Sequence, residues 1–173
     1  YRDGFCCPLS ELMMGETAEL LARQYAISRK DSDLYALESQ QRAEAAIAAG
    51  YFDAEIVPVE VTDRKSNVTL VTRDEHPRTG VTLESLRKLE PVFEVEGHQG
   101  IITAGSASGI TDGGAALVLV SASHAKLLGC RPLARIAGWA SAGVDPKIMG
   151  IGPVPAMQKL FGRLQQSVDD YDL

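Results

Sequence analysis

Ile102-Thr-Ala-Gly-Ser-Ala-Ser-Gly-Ile-Thr-Asp-Gly-Gly-Ala-Ala-Leu-Val-Leu-Val120 joins two unlike halves. The first is almost wholly small residues, and the second is an apolar run. Residues 115–120 predict a central strand, because an apolar segment without polar alternation is buried on both faces. Residues 103–109 then form a nearly bare backbone at the mouth of that strand. Such a backbone lets a flat, extended ligand lie against its N–H groups, with the Ser108 hydroxyl as a further hydrogen-bonding group. Gly and Ser are also turn residues, and from spacing alone a turn or close packing accounts for the stretch better. The Gly-x-Gly-x-x-Gly and Walker patterns both fail here, so it is no phosphate loop.

Upstream, residues 15–25 are rich in helix formers. Ser28 and Asp31 make a capping box with Asp in place of Glu, opening a helix over residues 30–49 that stops at Gly50. Residues 56–61 are β-branched, with Pro58 suggesting an edge strand. Residues 62–80 predict a surface loop or short hairpin, 82–89 a short helix ended before Pro91, and 93–100 a loop. Downstream, residues 121–128 predict a helix closed by Gly129 and 133–142 a further strand. Residues 153–165 predict a helix with Pro near its first turn. The order is helix-heavy and irregular, then strand, helix, strand, helix, with a change of domain near Gly109.

The totals narrow the function classes. The 173 residues carry 45% hydrophobic and 23% charged residues, an ordinary soluble composition. A net charge of -6 argues against a nucleic-acid or anionic-membrane surface. No apolar run is long enough to span a bilayer, and no basic-then-apolar leader is visible. Cys6, Cys7 and Cys130 have no metal-type spacing, which leaves a reducing, intracellular setting as the simplest inference. The cytoplasm is the expected location, with an organelle left open. The start at Tyr1 and the stop at Leu173 suggest a fragment of a longer protein.

Other groups could carry chemistry. In Asp74-Glu-His-Pro-Arg78, His76 could serve as a base and Arg78 as a phosphate contact, although mixed-charge loops are usually just solvated. His98 and His124 have no partner at ligand spacing, so no metal site is expected. The cysteines lack a positive neighbourhood or a base and are expected to pack. No convincing set of catalytic groups emerges from the residues themselves.

Several stretches, taken together and in order, resemble the thiolase family of acyl-CoA acetyltransferases. They include Met14-Gly-Glu-Thr-Ala-Glu19, Ile27-Ser-Arg-Lys-Asp-Ser-Asp33, Asp74-Glu-His-Pro-Arg78, Lys88-Leu-Glu-Pro-Val-Phe93, the stretch from Thr103 to Ala116, and Gly143-Val-Asp-Pro146 through Met149-Gly-Ile-Gly-Pro-Val-Pro-Ala156. The resemblance implies an α/β fold, part of a layered αβαβα sandwich with a helix-rich loop domain. Residues 1–109 would be the loop domain, which binds coenzyme A. Residues 110–130 would be the closing strand and helix of the first core half, and 131–173 the opening of the second.

The chemistry implied is acyl transfer between CoA thioesters. It includes thiolytic cleavage of a 3-ketoacyl-CoA or condensation of acetyl-CoA. A cysteine nucleophile, a second cysteine, a histidine and an asparagine-held water carry it in the family. Cys6, Cys7 and Cys130 match neither catalytic cysteine, so the segment would bind substrate without turning it over. Ser108 matches the family serine that contacts the pantetheine amide, and Ala104, Ala107 and Gly109 the surface beneath that arm. Arg78 and Ser85 match positions near the adenine nucleotide end. Phe93, Met14 and Met149 match pocket-lining positions. No tightly bound cofactor is implied. The expected partners are acyl-CoA substrates, the remainder of the chain, and a second copy in a homodimer or tetramer. The alternative is a non-catalytic relative that binds acyl-CoA or lipid.

Overall fold

The computed structural model describes residues 4–111 and 113–172. The chain divides into two compact units. One is Met13–Gly109; the other takes in the chain before Met13 and the chain from Ile110 on.

In the first unit, α1 (Met14–Gln24) starts where the Glu16 carboxylate accepts from the Met13 N–H at 2.6 Å. The longer α2 (Arg29–Ala48) opens on the predicted capping box, the Ser28 hydroxyl accepting from the Asp31 N–H at 3.1 Å. It ends before Gly50, whose φ of +73° is the left-handed conformation that L side chains resist. The strand begins only after Pro58, as β1 (Val59–Thr62), and pairs antiparallel with β2 (Val68–Val71). The Asp63 carboxylate closes this hairpin by accepting from the Lys65 and Asn67 N–H groups.

Thr82 caps the short α3 (Leu83–Arg87). The predicted loop at 93–100 is instead a small hairpin, β3 (Glu94–Val95) and β4 (His98–Gln99). Its two-residue turn, Glu96-Gly97, has positive φ at both positions, the arrangement that matches strand twist.

The core of this unit is small. Ala22 of α1 and Val95 of β3 are buried, and so are Ala36 of α2 and Leu86 of α3. The α2–α3 seam is held by Arg29. Its Nε donates to Asp33, which is 1% exposed, and its Nη2 donates to the Leu86 and Leu89 carbonyls at 2.8 Å each. Those carbonyls lie at the C-terminal end of α3, where the helix supplies no internal donors.

In the second unit, α4 (Ala122–Leu127) is capped by the Ser121 hydroxyl and followed by Gly129 at φ +65°. A 3-10 helix (Pro146–Ile151) leads into α5 (Pro153–Leu164), with Pro at its first turn. Lys159 and Arg163 of α5 donate to the Ser141 and Trp139 carbonyls. A short 3-10 turn (Val168–Asp170) follows, and the Phe161 and Tyr171 rings lie 5.3 Å apart.

Two predicted strands do not form. Residues 115–120 and 133–142 have no regular structure and no ladder partner among the described residues. Their sequence is strand-like, but a strand is completed by hydrogen bonds from a neighbour. Far from being central, Leu117 and Val118 are 89% and 90% exposed, and Leu133 and Trp139 are also exposed. No helix of the described residues is long and apolar enough to cross a membrane.

Candidate functional site

Thr103 organises the small-residue stretch. It is 0% exposed and forms a bridge with Pro91, while the neighbouring Val92 N–H donates to the Ile102 carbonyl at 2.9 Å. Its carbonyl accepts from the Ser106 and Ala107 N–H groups at 3.1 and 2.9 Å. Its hydroxyl accepts from the Gly105 N–H at 3.1 Å, and its own N–H donates to the Ser106 hydroxyl at 3.0 Å. One threonine therefore ties together the Gly105, Ser106 and Ala107 N–H groups of a tight turn.

The two glycines of the turn have partners within the unit. A Cβ on Gly105 would sit 2.6 Å from Leu86 and 2.9 Å from Leu89. A Cβ on Gly109 would sit 2.5 Å from the His76 ring. Carbon atoms settle near 3.5–4.0 Å, so a side chain at either position would force Leu86, Leu89 or His76 to shift. Bareness at these two positions thus serves close packing, as the spacing suggested. Ala104 and Ser108 are different: both are exposed, and Ala107 is half-buried. The Ser108 hydroxyl has no hydrogen-bond partner among the described residues.

These contacts place the segments that bear Arg78 and Ser85 beside the turn. Arg78 and Ser85 are exposed. Arg78 lies two residues beyond His76, and its N–H donates to Gln40 of α2 at 3.1 Å. Its guanidinium has no ion-pair partner among the described residues. Ser85 precedes Leu86, which touches Gly105. The Ser85 hydroxyl is engaged locally, donating to the Thr82 carbonyl at 2.7 Å and accepting from the Thr82 N–H. Phe93 lays its ring over Gly15, beside Met14; both Phe93 and Met14 are half-buried. Met149 is exposed on the 3-10 helix of the other unit.

Electrostatics support the frame. The Ser28 hydroxyl and N–H beside Asp31 hold its carboxyl below the ordinary carboxylate range. Cys6 and Cys7 are half-buried, whereas Cys130, expected to pack, is exposed; none forms a disulfide. No group of three or more His, Cys, Asp or Glu among the described residues is arranged to hold a metal.

Residue-by-residue reading missed three groups that build the turn: Thr103, His76 as the cover of Gly109, and Glu19. Glu19 carried a signal, since it is a carboxylate on the same face of α1 as Ala22, three residues on.

Residues 1–123 match the family model described as "Thiolase, N-terminal domain", and residues 130–173 that described as "Thiolase, C-terminal domain". A beta-ketoadipyl-CoA thiolase of Pseudomonas aeruginosa is 52% identical over 160 residues, covering 92% of this chain and 39% of the relative. An acetyl-CoA acetyltransferase of Cupriavidus necator is 46% identical over 171 residues, 99% of this chain and 43% of the relative. The crystal structure of the Bacillus anthracis acetyl-CoA acetyltransferase aligns with a TM-score of 0.86 at 48% identity, over 98% of this chain and 42% of that one. The human mitochondrial 3-ketoacyl-CoA thiolase aligns at 0.85 and 45% identity, over 98% and 42%. The chain thus spans about two fifths of the length of the relatives it matches.

Proposed function

The chain belongs to the thiolase family, and on that premise we propose that it is the coenzyme A-binding middle of an enzyme that transfers acyl groups between CoA thioesters. The relatives' names share one chemical feature, a thioester of coenzyme A. Any such substrate carries a pantetheine arm with amide groups and a nucleotide end bearing phosphates. Exposed Ser108, which follows the Thr103 turn and whose hydroxyl has no hydrogen-bond partner among the described residues, is the observation that carries the reading. Its hydroxyl is available to one pantetheine amide, and Ala104 and Ala107 offer a flat surface beneath the arm. Arg78 supplies an unpaired cation for the nucleotide phosphates. Phe93 and Met14 line the acyl end, with Ser85 near the nucleotide.

The bond-making groups are not among these residues. Transfer through a cysteine thioester needs a nucleophilic thiol, an acid-base partner and oxyanion donors. Cys6, Cys7 and Cys130 match neither catalytic cysteine of the family, so the segment supplies binding energy and orientation to chemistry done elsewhere in the parent. Residues 1–109 act as the loop domain, 110–130 close the first core half and 131–173 open the second. The parent assembles with itself, as a dimer or tetramer.

In the full-length protein, Arg78→Ala and Ser108→Ala are expected to raise KM for CoA thioesters while kcat stays near the parent value. Unchanged KM in both variants contradicts the site. CoA-thioester binding by the full-length parent without turnover favours a non-catalytic acyl-CoA binder.

A further inference from the structure

Glu19 is 3% exposed, and its carboxylate faces no cation at ion-pair distance among the described residues. Its acceptor capacity is taken up by backbone. The Ile101 N–H donates to both of its oxygens at 2.9 Å, and the Ile102 N–H donates to Oε1 at 2.7 Å. A carboxylate accepting two N–H groups forms the strong, charge-assisted kind of hydrogen bond. Glu19 lies on α1 and its donors lie 82 and 83 residues later, so the contact fixes one distant segment on another. Gly100 belongs to the same arrangement: the carboxylate occupies the space its side chain would need.

The two donors immediately precede Thr103, the residue that knots the turn bearing Ala104 and Ser108. We propose that Glu19 is a positioning residue for that turn. Its bonds to these two donors set the height at which Thr103 is buried and hence where the Ser108 hydroxyl emerges. Arg29 holds the opposite wall, since it ties the Leu86 and Leu89 carbonyls, whose side chains meet Gly105. Glu19 touches no substrate itself. This inference rests on the reading of residues 104–109 as the coenzyme A bed.

The test uses the full-length protein and acetyl-CoA. Glu19→Ala is expected to raise KM by about tenfold with kcat within about twofold, because the loss is one of placement and not of reacting groups. Glu19→Gln keeps one oxygen at the Oε1 position, which alone accepts both N–H groups, so its KM falls between wild type and Glu19→Ala. Amide exchange read in parallel should show Ile101 to Ser108 losing protection in Glu19→Ala while α2 keeps it. A KM unchanged in Glu19→Ala, or as high in Glu19→Gln as in Glu19→Ala, overturns the inference and leaves the coenzyme A reading standing. If wild type neither binds nor turns over the thioester, that reading fails, and the exchange data still decide the anchor: unchanged protection at Ile101 and Ile102 overturns it.

Discussion

Met13–Gly109 and the chain from Ile110 onward differ in where their side chains and backbone find partners. In the first, helix caps, two hairpins and long-range bonds from Glu19 and Arg29 meet within the unit. It holds every buried residue among the described ones except Ala125. In the second, Leu117, Val118, Leu133, Ile136 and Trp139 face outward, and two strand-like segments have no neighbour. The difference teaches that one region finds its partners within itself, while the other holds strand-like, apolar segments with no ladder partner among the described residues. The relatives are more than twice as long.

The contrast can be broken most severely by amide exchange. In the full-length protein residues 115–120 should be protected by the order of a thousandfold or more, as in a core strand. In the 173-residue chain the same amides should exchange near the unprotected rate. Equal protection in the two would abolish the distinction. Leu117→Ala sharpens it energetically. Denaturant unfolding of the full-length protein should show a loss of about 2–5 kcal/mol, the cost of emptying a core site. The same change in the 173-residue chain should cost under about 0.5 kcal/mol, as for a surface residue.

Within the closed unit, Ser28→Ala removes the α2 cap and should cost about 1 kcal/mol in a urea melt. The smallest effect is on pH. The Asp31 carboxyl is held low in the folded state by Ser28, so its stabilisation is complete above the unfolded carboxylate range and is lost as pH falls through the folded value. The melting temperature of wild type should fall toward that of Asp31→Asn as pH drops below about 4, and a constant gap between them would contradict the assignment.

Local chemistry was the legible part of this fold. Ser28 with Asp31, Gly50, Gly129 and Pro153 each impose a start or a stop through their own backbone or side chain, and the helices lie within a residue or two of the expected places. The strand signal at residues 115–120 was real as composition, but pairing depends on segments far away in sequence. The Glu96-Gly97 turn was missed because strands of two residues carry almost no periodicity. At the site, Ser108 and Ala104 stood out as small residues in an unusual run. Spacing alone could not separate them from Gly105 and Gly109, which are small because Leu86, Leu89 and His76 occupy the space. Those neighbours lie many residues away, as do the donors to Glu19, and only the folded chain brings them together.

The central claim is that the Thr103 turn presents Ser108 to a CoA thioester. It is tested most directly by steady-state kinetics of Ser108→Ala in the full-length protein with acetyl-CoA. Loss of one hydrogen bond to the pantetheine arm should raise KM about threefold to tenfold with kcat nearly unchanged. A KM equal to that of wild type would contradict the account.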